Sequence, residues 1–370
     1  MLAAIPVLVL LIAGLPLLGV YLAGRPLAPY LEFPPVTEHV AHAPFSWAVF
    51  SALAMVIAVF VLPALVRIAT VRTSSPRMTA QRSPWWTWLG LGLVVLLWPL
   101  AWTRAPWFEP WQPFTFTPLW LGYILIINGL TYRRTGHCLL TDRPAFLIAL
   151  FPASAAFWWT FEYLNRFVQN WYYVGVPGFT AAEYVVHATL SFSTVLPAVF
   201  GTIDWLRTSP RLDAAFRDLP ALPLMHRERL GWALLIVACA GLAGIGIWSD
   251  YLFSLLWISP LLILIGLQLA TGRETVFDEV RHGDWRSIGI PALAALQCGF
   301  FWELWNSHSL AHWRYAIPYV HRFQIFEMPL LGYAGYLPFG LECYVVGGLL
   351  ACVLANRGLS HASRRQTVLP

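Results

Sequence analysis

The chain contains no lysine; all 23 of its basic residues are arginine. That excludes a retinal Schiff base, a pyridoxal-phosphate enzyme and a Walker-type phosphate loop, each of which needs one lysine at a defined place. Charge of either sign is scarce, at 11% of 370 residues, where a soluble chain carries about 25%. A soluble protein of this length has more surface than so few charges can coat. The five cysteines (Cys138, Cys239, Cys298, Cys343 and Cys352) are scattered, with no CxxC pair, which argues against a disulfide framework or a zinc site. No GxGxxG follows a strand pattern and no phosphate loop is present, so no organic cofactor is expected.

Apolar sequence fills the space that charge leaves. Hydrophobic residues make up 58% of the chain and the mean hydropathy is +0.63, which predicts an all-α, polytopic integral membrane protein. Runs long enough to cross about 30 Å of hydrocarbon fall near 2–23, 45–70, 85–103, 114–132, 144–165, 180–206, 229–248, 251–270, 286–306 and 326–355, about ten transmembrane helices. Arginine placement supports this number. If the runs all cross, 18 of the 23 arginines fall on one side, and only Arg25, Arg104, Arg166, Arg314 and Arg322 on the other. By the positive-inside rule the arginine-rich side is cytoplasmic and both termini face in, as in a bacterial inner membrane. The first run lacks a basic leader and a small-x-small cleavage site, so it is expected to stay as a helix. The positive balance then reflects topology. No loop carries a basic, aromatic stripe of the kind that binds nucleic acid.

The chain also repeats itself. Phe161–Asn165 (FEYLN) matches Trp302–Asn306 (WELWN), and each is followed by W-x-Y, Trp171 with Tyr173 and Trp313 with Tyr315. Glu183 and Glu327 follow at similar distances, as do Pro197 and Pro338, with an offset between 136 and 144 throughout. These matches predict two N-terminal helices (1–84), a first four-helix repeat (85–206), a linker (207–228), a second repeat (229–355) and a tail (356–370). Four helices per copy give both copies the same orientation, a tandem parallel repeat about an axis along the membrane normal.

Acidic residues in a bilayer are costly and mark functional sites by default. Glu162, Glu183, Glu303 and Glu327 are the candidate acids, with Asn165 and Asn306, three residues after a glutamate and on the same helical face, to orient a proton. Trp171, Tyr173, Trp313 and Tyr315 are expected to line or roof a pocket, where ring faces stabilise a cation. His187, four residues after Glu183, and the unduplicated Glu342 are further candidates to meet a substrate. The simpler reading is that the Glu/Asn pairs cap and cross-link helices and that W-x-Y anchors the chain at the interface. A duplicated scaffold repeats its structural pairs as well as its functional ones. His308, His312 and His321 have no histidine counterparts in the other copy, and no metal is expected.

At these residues, and above all in IFEMPLLGYAGYLPFGLE (325–342), the chain resembles membrane-embedded isoprenoid cyclases and hydratases. It is similar to the integral-membrane lycopene cyclases and carotenoid hydratases, to membrane meroterpenoid cyclases, and to bacterial enzymes of the tetrahymanol synthase type. The resemblance implies acid-catalysed cyclisation, isomerisation or hydration of a polyisoprenoid lipid, with Glu162, Glu303 and Glu327 as the acids. The paired acidic motif of lycopene cyclases is absent as such, and ten helices exceed the number usual in those enzymes. Two other readings stay open: a proton-coupled transporter or channel with its site between the repeats, and a scaffold whose polar pairs only pack helices.

Overall fold

A computed structural model describes residues 5–35, 38–73, 81–176 and 178–366; Arg77, one of the loop arginines counted above, lies outside them. The chain is almost entirely helical. In order come α1 (Ile5–Leu22), α2 (Ala28–Leu31), α3 (Trp47–Thr70), α4 (Trp85–Trp102), α5 (Phe116–Thr135), α6 (Leu139–Asp142) and α7 (Pro144–Val168). Then follow α8 (Ala181–Phe192), α9 (Val195–Arg207), α10 (Pro210–Phe216), α11 (Arg227–Ile245), α12 (Ser249–Leu252), α13 (Leu255–Ala270), α14 (Arg286–Asn306) and α15 (Tyr336–Gln366). Among the described residues the only sheet is two short antiparallel ribbons. One pairs β1 (Trp171–Val174) with β2 (His312–Tyr315), the other β3 (Gln324–Ile325) with β4 (Met328–Pro329).

Among the described residues seven spans are long and apolar enough to cross a membrane, and α8 with α9 counts as one of them. An eighth forms if the 3-10 helix Pro106–Phe114 is joined to α5 across a 68° bend. Helices α1 and α13 are apolar but shorter. Each apolar run of the sequence therefore holds a helix, but three runs are not continuous. The 180–206 run breaks at Ser193 and Thr194, because Pro197 lacks the N–H that the Ser193 carbonyl needs and its ring crowds that carbonyl. The 251–270 run splits into α12 and α13. The 326–355 run begins as a hairpin and a 3-10 turn, Leu330–Gly335, before α15 starts at Tyr336. Pro329, Gly332 and Gly335 disfavour helix there. At the other end α15 continues through Gln366, so most of the expected tail is helical.

Helices α4 and α5 pack as a pair, as do α11 and α13, while at the centre α9 and α15 each pack against both α7 and α14. Small residues permit the close crossings: a side chain on Gly90 would strike Gly122 of α5, and one on Gly231 would strike Gly266 of α13. The centre is aromatic. Phe161 stacks on Trp257 at 5.0 Å, and Trp120 lies 5.1 Å from Trp302. Helix α3 differs from the rest. It contains no buried residue and packs chiefly on α10 and the 330–335 turn.

Two polar clusters fix the loops. On one side His42 bridges the Asp250 carboxylate (2.7 Å) and the Gln169 carbonyl (3.2 Å), strapping the segment before α3 to α12 and the end of α7. At the start of α14 Arg286 donates to Asp213 (2.6 Å) and Asp284 (2.9 Å). The Arg286 guanidinium holds the Asp284 carboxyl below the usual carboxylate range. A depressed carboxyl stabilises the fold above its unfolded pKa of about 3.9 and loses that contribution as pH falls through the lower, folded value. Stability is therefore expected to hold from pH 7 down to about 5 and to drop below about pH 4, by at most about 1 kcal/mol for so exposed a pair. Thermal unfolding across this range, compared with Asp284→Asn, measures it; an identical drop in the variant would exclude this pair as the source.

Candidate functional site

The site is built where α7 and α14 end. Glu162 and Glu303 are both fully buried, as are Asn165 and Asn306. Past each helix the chain reverses into a strand, and the two strands pair with each other. Trp171 faces Tyr315, Tyr172 faces Arg314, Tyr173 faces Trp313, and Val174 faces His312. The asparagines hold these strands. Asn165 Nδ2 donates to the Trp171 carbonyl (2.7 Å) while its Oδ1 accepts from the Asn170 N–H (2.8 Å). Asn306 does the same for Trp313, donating to its carbonyl at 2.7 Å and accepting from its N–H at 2.8 Å. Both amides are thus spent on backbone and do not orient the carboxyls, contrary to the role expected of them. An amide both donates and accepts, which matches the N–H and C=O left without helical partners where a strand leaves a helix end. Asn165→Ala is expected to cost about 3 kcal/mol, because two buried backbone groups lose their partners. Denaturant unfolding in detergent checks this, and an unchanged midpoint would refute it.

Each carboxyl gathers its hydrogen bonds on one oxygen. Glu162 Oε1 accepts from Trp158 Nε1 (3.0 Å), Trp171 Nε1 (3.1 Å) and the Tyr173 hydroxyl (2.6 Å). Glu303 Oε1 accepts from the hydroxyls of Tyr315 (2.7 Å) and Tyr336 (2.8 Å), and Trp313 Nε1 donates to the Tyr315 oxygen (2.8 Å). The other oxygen of each, Oε2, is buried and has no hydrogen-bond partner among the described residues. The two clusters differ in one exchange. Trp158 lies one turn before Glu162, but Gly299 lies one turn before Glu303, and the Tyr336 ring occupies the space a side chain on Gly299 would need. A tryptophan from the same helix serves one carboxyl, and a tyrosine from α15 serves the other.

All of these donors line a single cavity of about 610 Å³. Trp158, Trp171 and Tyr173 come from the Glu162 side, and Trp313, Tyr315 and Tyr336 from the Glu303 side. Helix α3 supplies a further wall through Leu53, Val56, Ile57, Phe60 and Val61. His187 also lines it, stacked on Phe114 at 4.2 Å between ring centroids.

The other expected acids lie elsewhere. Glu183 is exposed and closes a capping box at the start of α8, its carboxylate accepting from the Thr180 N–H (2.8 Å) and hydroxyl (2.9 Å). This is a helix cap, and its signature, Thr180-x-x-Glu183, is present in the sequence. Glu327 does not open a helix. It is half-buried in the tight turn between β3 and β4, and the cavity is lined by Met328 next to it. Glu342 is buried in α15, its Oε2 without a partner among the described residues; like Glu162 and Glu303 it is not itself among the residues lining the cavity, but unlike them it makes no hydrogen bond to a residue that does. Trp158, Gly299 and Tyr336 were missed. Trp158 had a readable signal, four residues before Glu162 on one helical face. Tyr336, 33 residues from Glu303, had none.

No protein-family model, curated protein or solved structure matches the chain.

Proposed function

We propose that this protein is an integral-membrane enzyme that uses Glu162 and Glu303 for acid catalysis on a polyisoprenoid lipid, a carotenoid or a hopanoid/triterpenoid, in a cyclisation, isomerisation or hydration. The observation that carries the reading is that one aromatic cavity is lined by the hydrogen-bond donors of both buried carboxyls. With Oε1 held by indole and phenol donors, the proton of a neutral carboxyl sits on the otherwise unbonded Oε2. One carboxyl supplies a proton to an alkene carbon through the phenol hydroxyl that bonds it and lines the cavity, Tyr173 for Glu162 and Tyr315 or Tyr336 for Glu303, forming a C–H bond and leaving a tertiary cation and a carboxylate. A neighbouring double bond or a water then attacks the cation, or the cation loses a proton directly. The second carboxyl, ionised at the outset, takes the released proton, so the pair ends with the same number of protons. Indole and phenol faces stabilise the cation by up to about 2 kcal/mol each in a desolvated site.

The remaining features belong to the same proposal. The chain crosses a bacterial inner membrane ten times with both termini cytoplasmic, α1, α13 and the bent Pro106–Thr135 pair included. Its two halves are tandem copies, a reading favoured by the equivalence of the carboxyl, asparagine and strand contacts in each. Expression in hosts that make hopenes, squalene or lycopene, with extracted lipids compared by mass spectrometry, tests the activity. A new isoprenoid that depends on Glu162 and Glu303 supports it. Unchanged lipids in every host would move the assignment to transport.

A further inference from the structure

Asn170 lies between the left-handed Gln169 that ends α7 and the first residue of β1. Its backbone is fully used: the N–H donates to Asn165 Oδ1 (2.8 Å) and the carbonyl accepts from the Ala316 N–H (2.8 Å). The residue lines the cavity and is 3% exposed; its Oδ1 is sealed and has no hydrogen-bond partner among the described residues, and its Nδ2, which is not sealed, makes no hydrogen bond among them either. A buried amide in this condition is costly unless a ligand pairs with it. The amide nitrogen at the accessible position calls for an acceptor, and exchanging oxygen and nitrogen would call for a donor there instead, so a ligand group able both to donate and to accept satisfies either orientation. A hydroxyl does both.

An anionic headgroup fits poorly. The chain has no lysine, and none of its arginines is among the residues lining the cavity, so a diphosphate meets no fixed counter-charge. His312 lines the cavity at the far end of the ribbon, opposite Val174, about 13 Å along the strand from Asn170 at about 3.3 Å per residue. Its Nδ1–H donates to the Leu310 carbonyl (3.1 Å), which leaves Nε2 as the only ring nitrogen open to a ligand. Neither polar end is built for a phosphate.

We propose that Asn170 is the seat for an O–H group in the cavity, so that the ligand is an isoprenoid bearing a hydroxyl, or an isoprenoid together with the water that reacts with it. This rests on the isoprenoid reading given above and specifies the polar end of its substrate.

The full chain in lipid nanodiscs, titrated by tryptophan fluorescence with geranylgeraniol and with the hydrocarbon lacking only its hydroxyl, tests the proposal. If the hydroxyl belongs to the lipid, the wild-type protein binds the alcohol about tenfold more tightly, the worth of one hydrogen bond to a buried group. Asn170→Leu then binds both at the hydrocarbon's affinity, and retained hydrocarbon binding reports an intact cavity. Should that variant lose both lipids, Asn170→Ala, which cannot crowd the cavity, decides by the same two affinities. If the hydroxyl is a reacting water, alcohol and hydrocarbon bind alike, and squalene turned over in ¹⁸O-labelled water gains label with the wild type but not with Asn170→Leu. Equal affinities, with labelling absent or unaffected by the substitution, would overturn the Asn170 seat while leaving the isoprenoid reading standing. Quenching by neither lipid would remove that reading and the seat with it.

Discussion

Glu162→Gln and Glu303→Gln are each expected to leave the protein folded and to lower product formation at least about 100-fold, the range that a positioned acid or base supplies. Glutamine retains an Oε1 that accepts the same bonds, from Trp158, Trp171 and Tyr173 in one case and from Tyr315 and Tyr336 in the other. It replaces the oxygen that carries the proton with an N–H₂ that cannot release one. The substitution therefore separates chemistry from architecture. Lipid extracts analysed by mass spectrometry, together with thermal unfolding of the purified variants, give three distinguishable outcomes. Lost product with a retained transition supports acid catalysis. Lost folding before any change in product identifies the carboxyls as cross-links only, the scaffold reading. Unchanged product and unchanged folding would remove both glutamates from the mechanism.

Gly299→Ala is expected to cost about 1–3 kcal/mol. The added methyl meets the ring of Tyr336, a residue that cannot retreat without giving up its bond to Glu303. Tyr336→Phe, which keeps the ring and removes only the hydroxyl, should cost nearer 1 kcal/mol. In a double-mutant cycle, Gly299→Ala combined with Tyr336→Ala should be less destabilising than the two single changes added together, because the methyl then has room. Unfolding midpoints measured in one detergent settle this. Strict additivity, or a Gly299→Ala protein as stable as the wild type, would mean that the ring and the glycine are not in conflict.

The apolar runs were legible because bilayer crossing demands length and composition, and each of them holds a helix. The interruption at the start of the last run was legible in Pro329, Gly332 and Gly335, whereas the break in the 180–206 run was harder to read because it arises from a single backbone bond. Pro197 denies a donor to one carbonyl, Ser193, and the apolar run continues over it. In the site, Glu162 and Glu303 stood out because a buried acid is rare and these two recur with the same neighbours. Their partners were legible only in part. Trp171, Tyr173 and Tyr315 bond the carboxyls directly, and Trp313 does so through the Tyr315 hydroxyl. Asn165 and Asn306 were assigned to the acids for standing on the same helical face, although each is close enough to a helix end for the departing strand to claim its amide. Glu183 was grouped with the buried acids for its position in the repeat, while its local Thr-x-x-Glu signature already pointed to a cap. Tyr336 illustrates the remaining limit. Its role depends on how α15 leans over α14, and no spacing along the chain encodes that.

The register of the central ribbon is self-complementary: Trp171 meets Tyr315 just as Tyr173 meets Trp313. Two identical shorter chains would make this contact about a twofold axis, each lending its strand to the other. In such a homodimer every substitution appears twice, and the two carboxyls are compelled to share one environment. Covalent joining lifts that constraint. The pairing of Trp158 with Glu162 on one side, and of Gly299 and Tyr336 with Glu303 on the other, is a difference that a homodimer could not hold, and under the proposed duplication it lets one carboxyl specialise without altering the other.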